Sequence, residues 1–202
     1  MSQRPSVTAP GLGAGEVHVW TVQLGGRDRQ RARQAMRTIL GAYLQAPPDS
    51  LEIDTTAAGK PYLADDRIHF NLSHSRDVAL VAVATAPVGV DLEHPREFRA
   101  AERLARRICS EREYASLQRA GGDRGIAGAQ LQLLRLWVRK EAVVKGTGEG
   151  LVRPLDEVDV LDDALADGWL CIDLPRPAAG FQAALAVLAS AATVSQHHFV
   201  WE

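Results

Sequence analysis

Asp91 and Glu93 stand two residues apart at the end of a short apolar run, Val88-Gly-Val-Asp-Leu-Glu93. Residues two apart on a strand point to the same side, which leaves Leu92 facing the other way. Carboxylates held side by side repel each other unless a cation sits between them, and oxygen-only donors suit magnesium, which keeps room for water and phosphate. A second pair, Glu141 and Lys145 in Leu136-Trp-Val-Arg-Lys-Glu-Ala-Val-Val-Lys145, is spaced i, i+4 and shares a helix face with Trp137 one turn earlier. The glycines of Gly146-Thr-Gly-Glu-Gly150 let the backbone approach a ligand closely. Ser73 and His74, in Asn71-Leu-Ser-His-Ser75, read as a polar turn able to rest an anion.

Each of these has a plainer reading. An acidic strand end is often only solvated, and Glu-x-x-x-Lys is usually a surface pair worth a few tenths of a kcal/mol. Asn and Ser commonly cap their own turns. Lys60 and the arginines between Arg27 and Arg37 would singly be ordinary exposed charges. Together, however, these residues outline a site that wants phosphate.

The elements that must position them follow from periodicity. Alternation predicts a strand over Glu16–Leu24, and apolar spacing predicts a helix from Asp28 to Leu44 that Pro47-Pro48 stops. A short strand is expected at Leu51–Thr56, and a turn projecting Lys60 at Gly59–Leu63. Val78–Ala84 reads as a strand covered on both faces, preceded by the turn that holds His74. Helices are expected at Glu97–Ile108, from a Ser110 capping box to Gly121–Gly125, and at Gly128–Lys145, where Leu131, Leu134, Trp137, Val138 and Val144 are core candidates. Strands follow near Glu157–Leu161, Trp169–Leu174, Phe181–Leu188 and Gln196–Trp201. The pattern divides into a loose leader, 1–15, and two halves, 16–96 and 97–202, that rhyme without an internal repeat.

The chain has 202 residues, 46% of them hydrophobic, and a net charge of -2. That supports a sizeable core and argues against nucleic acid as a partner. No stretch approaches the roughly 20 apolar residues of a membrane helix, and Met1–Ser6 carries no signal-peptide character, so a cytoplasmic location without membrane partners is expected. Cys109 and Cys171 read as buried thiols, with no zinc-type spacing.

Four motifs in order, Gly59-Lys-Pro, Asn71-Leu-Ser-His-Ser75, Gly89-Val-Asp-Leu-Glu93 and Trp137-Val-Arg-Lys-Glu-Ala-Val-Val-Lys145, resemble those of the larger, Sfp-type 4'-phosphopantetheinyl transferases over about Arg27–Val160. The resemblance implies an α+β fold, a monomeric pseudo-dimer of two similar α/β halves with the active site in the cleft between them. It implies coenzyme A as donor and Mg2+ as cofactor, with Asp91, Glu93 and Glu141 as metal ligands. Arg37, Lys60, Ser73, His74, Asp91 and Lys145 would bind coenzyme A, and any of Arg27, Arg29, Arg31 and Arg33 would match further basic positions. The implied reaction moves the 4'-phosphopantetheine group to a serine of an apo acyl- or peptidyl-carrier protein of fatty acid, polyketide or nonribosomal peptide synthesis, releasing 3',5'-ADP. Glu141, directly or through a water on the metal, is the expected base, and Lys145 assists the leaving group. The segment Arg119–Gln130 is expected to lie near the carrier. The same residues would also serve a magnesium-dependent hydrolase of nucleotide diphosphates, or a non-catalytic coenzyme A binding protein.

Overall fold

The computed structural model describes residues 7–65, 67–98, 100–150, 154–175, 178–189 and 192–201. Of the leader expected over 1–15, residues 1–6 lie outside the described residues. Strand β1 (Glu16–Gln23) sends Trp20 and Val22 to one side and Val17 and Val19 to the other, so it is buried on both faces. Helix α1 (Arg29–Leu44) covers the first side with Ala32, Ala35, Met36, Ile39 and Leu40. It begins where the Asp28 carboxylate accepts from the amides of Gln30 and Arg31, the usual way of satisfying orphan N–H groups at a helix start. It ends at Gln45 in the left-handed region (φ 52°), just before the two prolines.

A small ribbon of β2 (Ile53–Thr55) and β3 (Pro61–Leu63) leads to β4 (His69–Ser75), β5 (Val78–Ala84) and β6 (Val88–Glu93). The His74 segment is therefore a strand rather than a turn: β4 pairs antiparallel with β5 along its whole length, and only Arg76-Asp77 turns. Phe70 and Leu72 face the α1 core while Asn71, Ser73 and Ser75 face away.

The first sheet has the order β4-β5-β1-β9, in which β9 (Thr193–Phe199) runs parallel to β1. The second has the order β6-β8-β7, with β7 (Trp169–Asp173) and β8 (Gln182–Leu188). Thus β6 leaves its chain neighbour β5 for β8, and β9 returns to the first sheet, so strands pass in both directions across the 96/97 boundary. Val88, Val90 and Leu92 of β6 pack with Leu80, Ala82, Leu185 and Val187 between the sheets.

Helices α2 (Ala101–Ile108) and α3 (Glu111–Thr147) cover the outer face of the second sheet, giving four layers: helix, sheet, sheet, helices. Gly125 (φ 64°, ψ -162°) kinks α3, so the two helices expected from the sequence flank one bend. The Ser110–Glu113 capping box starts α3, and left-handed Gly148 ends it. Leu131 is not core but 43% exposed, whereas Leu134, Val138 and Val144 are buried.

No strand forms at Glu157–Leu161, where a 3-10 turn (Leu155–Glu157) leads into extended chain. The reason is that the main-chain groups there are already taken. Lys140 donates to the carbonyls of Leu155 and Val158 and Arg139 to that of Val160, while Glu113 accepts from the amide of Val160. Both cysteines are buried and free. Among the described residues no helix is long and apolar enough to cross a membrane.

Candidate active site

The edge strand of each sheet supplies one side of the site, and α3 supplies the third. Because Val88, Val90 and Leu92 point into the inter-sheet core, Gly89, Asp91 and Glu93 point toward α3. Glycines at the crossing let the two backbones meet: a Cβ on Gly89 would lie 2.1 Å from the Ala142 carbonyl oxygen and 2.3 Å from the Gly146 nitrogen. This close approach delivers Glu141 and Lys145 to the acids of β6. Lys145 Nζ lies 2.5 Å from Asp91 Oδ1 and 3.0 Å from Ser73 Oγ, and the Ser73 hydroxyl donates to the same carboxylate oxygen at 2.9 Å.

Asp91 is only 4% exposed, and its second oxygen, Oδ2, is buried without a hydrogen-bond partner. Glu93 and Glu141 both have their carboxyl pKa values raised, first by burial and then by the charge of Asp91. Of the three acids Lys145 pairs with Asp91 alone, and Glu93 and Glu141 lie near enough to feel both charges, so negative charge and an unpaired buried oxygen are left uncompensated. A hard divalent cation would supply what is missing, and oxygen donors of this kind fit one. Among the described residues no three His, Cys, Asp or Glu groups are already drawn together as a finished cage, so binding a cation requires these side chains to converge further.

Two cavities flank the acids. One, of about 570 Å³, is lined by Arg27, Arg29, His74, Arg76, Glu93, His94 and Arg96 among others. Its basic wall matches an anion. Burial and the neighbouring charges of Arg29, Lys145 and Arg33 hold the His74 pKa below its usual value. The other, of about 460 Å³, is lined by Lys60, Asn71, Glu141, Lys145, Gly148 and neighbours. Lys60 Nζ donates to the carbonyls of Gly146 (2.5 Å) and Val88 (3.3 Å), and burial lowers its pKa to about 8.

Of the residues expected from the sequence, Lys60, Ser73, His74, Asp91, Glu93, Glu141 and Lys145 gather here. Arg37 does not. Its guanidinium donates to the carbonyls of Pro48, Asp49 and Leu51, stapling α1 to the loop after it. Among the early arginines, Arg27 and Arg29 line the basic cavity, while Arg31 donates to the Leu24 carbonyl and stacks 4.4 Å from the Trp201 ring.

Sequence reasoning passed over Arg139 and Lys140, which look like surface charges beside Glu141 but have no exposed area. Lys140 pairs with equally buried Glu113 at 2.7 Å. Arg139 donates to the carbonyls of Val160 (2.7 Å), Asp162 (2.9 Å) and Cys171 (2.6 Å). These bonds fix the rotation of α3, and with it the direction of the next residue, Glu141. No spacing in the sequence announces them, because most of their partners are main-chain carbonyls about 15 to 32 positions away.

A family model described as the 4'-phosphopantetheinyl transferase superfamily matches residues 87–187, the span that contains β6, the crossing helix and the second sheet. Curated relatives agree. A 4'-phosphopantetheinyl transferase of Bacillus subtilis is 31% identical over 181 residues, covering 81% of this chain and 77% of the relative. The chain belongs to the 4'-phosphopantetheinyl transferase superfamily. HetI of Nostoc sp. is 38% identical over 133 residues (63% of this chain, 54% of the relative), and Sfp of Bacillus subtilis 30% identical over 141 residues (69% and 59%). The chain therefore spans little more than half the length of these last two transferases. Its mixed α and β architecture agrees with the family fold, and enzymes of this superfamily use coenzyme A and generally require a metal.

Proposed function

We propose that this chain transfers the 4'-phosphopantetheine group of coenzyme A to a serine of an apo acyl- or peptidyl-carrier protein, releasing 3',5'-ADP. The observation that carries the reading is the convergence of Asp91, Glu93 and Glu141 with Lys145 at the crossing of β6 and α3, beside an arginine-lined cavity. In this reading the molecule is a monomeric, cytoplasmic pseudo-dimer, each half a sheet with its covering helices, and the reaction occurs on the seam.

Asp91, Glu93 and Glu141 hold the metal, which we take to be Mg2+, with the unpaired Asp91 Oδ2 as the ready donor. Mg2+ supplies charge stabilisation to the pyrophosphate when bound. Lys145, now on Asp91, is long and mobile enough to turn to the pyrophosphate, and Lys60 adds charge from the other wall. His74 faces the nucleotide end, with Arg27 and Arg29 beyond it, while Ser73 on the opposite face of β4 holds Asp91. The carrier's serine oxygen forms a new bond to the β-phosphorus, the bond from that phosphorus to the bridging oxygen breaks, and 3',5'-ADP leaves with that oxygen. The serine proton goes to Glu141, the expected general base. The groove lined by Phe98, Ile126 and Leu131 shares Arg96 with the basic cavity and lies within reach of a docked carrier.

Incubation with coenzyme A, Mg2+ and a panel of apo carrier proteins, read by mass spectrometry, tests the reading. A phosphopantetheine adduct on a carrier serine is expected. Release of 3',5'-ADP without any carrier would replace the transferase with a hydrolase.

A further inference from the structure

Strands β4 and β6 are edge strands of different sheets and share no main-chain ladder. Side chains of β4 take its place. Asn71 Oδ1 accepts from the Val90 amide (3.0 Å), Ser73 Oγ from the Leu92 amide (3.3 Å) and Ser75 Oγ from the His94 amide (3.2 Å). Every second residue of β4 meets every second amide of β6, while the β6 groups on the other side pair with β8.

The two serines do a second thing that the asparagine does not. Ser73 donates its hydrogen to Asp91 Oδ1 at 2.9 Å, and Ser75 donates its hydrogen to Glu93 Oε2 at 3.1 Å. In each case the hydroxyl oxygen is anchored by the amide following the acid, so its one hydrogen is left for the acid itself. Where Asn71 stands, the corresponding β6 residue is Gly89, which has no carboxylate to orient, and an amide oxygen suffices. The unit Ser-x-Ser on β4 thus matches Asp-x-Glu on β6, residue for residue.

We infer that Ser75 is a positioning residue: it holds the Glu93 carboxylate in the direction needed for metal binding, as Ser73 does for Asp91. The inference rests on the proposal that these acids hold a cation. Ser75 leaves Glu93 Oε1 free of its grip, and the nearest partner of that oxygen is Arg96 at 3.9 Å. Without the serine hydroxyl, Glu93 swings among its rotamers, and each metal-binding event must again order it.

Titration of the protein with Mn2+, followed by electron paramagnetic resonance of the free ion, with and without coenzyme A, tests this. Ser75→Ala should bind Mn2+ roughly tenfold more weakly or worse, and Ser75→Thr, which keeps the hydroxyl, should stay within about threefold of wild type. Circular dichroism checks that each variant is folded at the assay temperature; if Ser75→Ala is not, Ser75→Cys, with a similar shape and a weak donor, is measured in its place. Wild-type affinity in the variant lacking the hydroxyl overturns the inference, and so does an equal loss in Ser75→Thr. Wild-type protein that binds no Mn2+ under either condition overturns the metal reading itself, a result distinct from both.

Discussion

Gly89→Ala should damage fold and catalysis through one contact. The added methyl would sit 2.1 Å from the Ala142 carbonyl oxygen, 2.3 Å from the Gly146 nitrogen and 2.7 Å from the Gly146 Cα, where ordinary contact begins at 3.4 Å. All three obstacles are backbone, so no side chain can turn away, and α3 must retreat from β6 by about 1 Å or more. Overpacking of a core costs about 1–3 kcal/mol, and a clash with backbone on an otherwise close-packed helix belongs at the upper end. For a chain of this size, about 3 kcal/mol lowers the melting temperature by roughly 6–12 °C. The retreat also withdraws Glu141 and Lys145 from Asp91, and a misplacement of about 1 Å can cost on the order of a hundredfold in rate. Thermal melting by circular dichroism and turnover with coenzyme A and an accepted carrier, measured well below the melting point, give the two numbers. A variant melting within about 2 °C of wild type and turning over within about twofold would refute the claim that this glycine contact sets the site.

Glu141→Gln should lower turnover at least about a hundredfold, yet melt at or above the wild-type temperature near pH 7 in metal-free buffer. The sign follows from the raised pKa of Glu141: the folded state binds this proton more tightly than the unfolded, so ionising the acid costs stability as pH rises through its folded pKa. Full activity of the variant would remove Glu141 from the mechanism. Lys140→Met should cost about 3–5 kcal/mol by stranding Glu113, while the double change Lys140→Met with Glu113→Leu should recover part of it, the remainder being the Ser110 and Val160 amides that Glu113 also serves; urea denaturation of wild type and the two variants separates pair from charge. Affinity for coenzyme A should weaken as pH climbs through about 8, where Lys60 loses its proton, and this limb should vanish in Lys60→Met. The same deprotonation favours the fold, since the unfolded chain keeps its proton to higher pH, so calorimetric binding and thermal melts should move in opposite directions over that window.

Much of the site was legible because its residues lie on regular elements whose periods are readable. Asp91 and Glu93 follow from strand alternation, and Glu141 and Lys145 from helical spacing, each within one element. What was not legible is which elements meet. The apolar alternation of Val88, Val90 and Leu92 announces burial but not a partner, and β6 leaves its neighbour β5 to pair with β8 almost a hundred residues later. The parallel partnership of β1 and β9 is more distant still, secured beyond its end by Trp201 donating to the Gln23 carbonyl. Arg37 has the residue type of a phosphate ligand, yet the loop carbonyls after α1 claim it, and only the path of that loop decides the matter.

The polar stretch Asn71–Ser75 shows why composition misled where period would not have. Asn, Ser, His and Ser together have the chemistry of a turn, but Phe70 and Leu72 alternate with Asn71, Ser73 and Ser75, and this period of two is that of a strand. The polar face is explained by its location at a seam between sheets. A main-chain ladder there would have fused β4 and β6 into one sheet and left the acids of β6 to orient themselves. Side chains of Ser length keep the strands apart, satisfy the β6 amides and reach the carboxylates. The same two hydroxyls therefore satisfy the β6 amides with their oxygens and orient the carboxylates with their hydrogens, which is why the segment that most resembles a loop is the one that holds Asp91 and Glu93 in place.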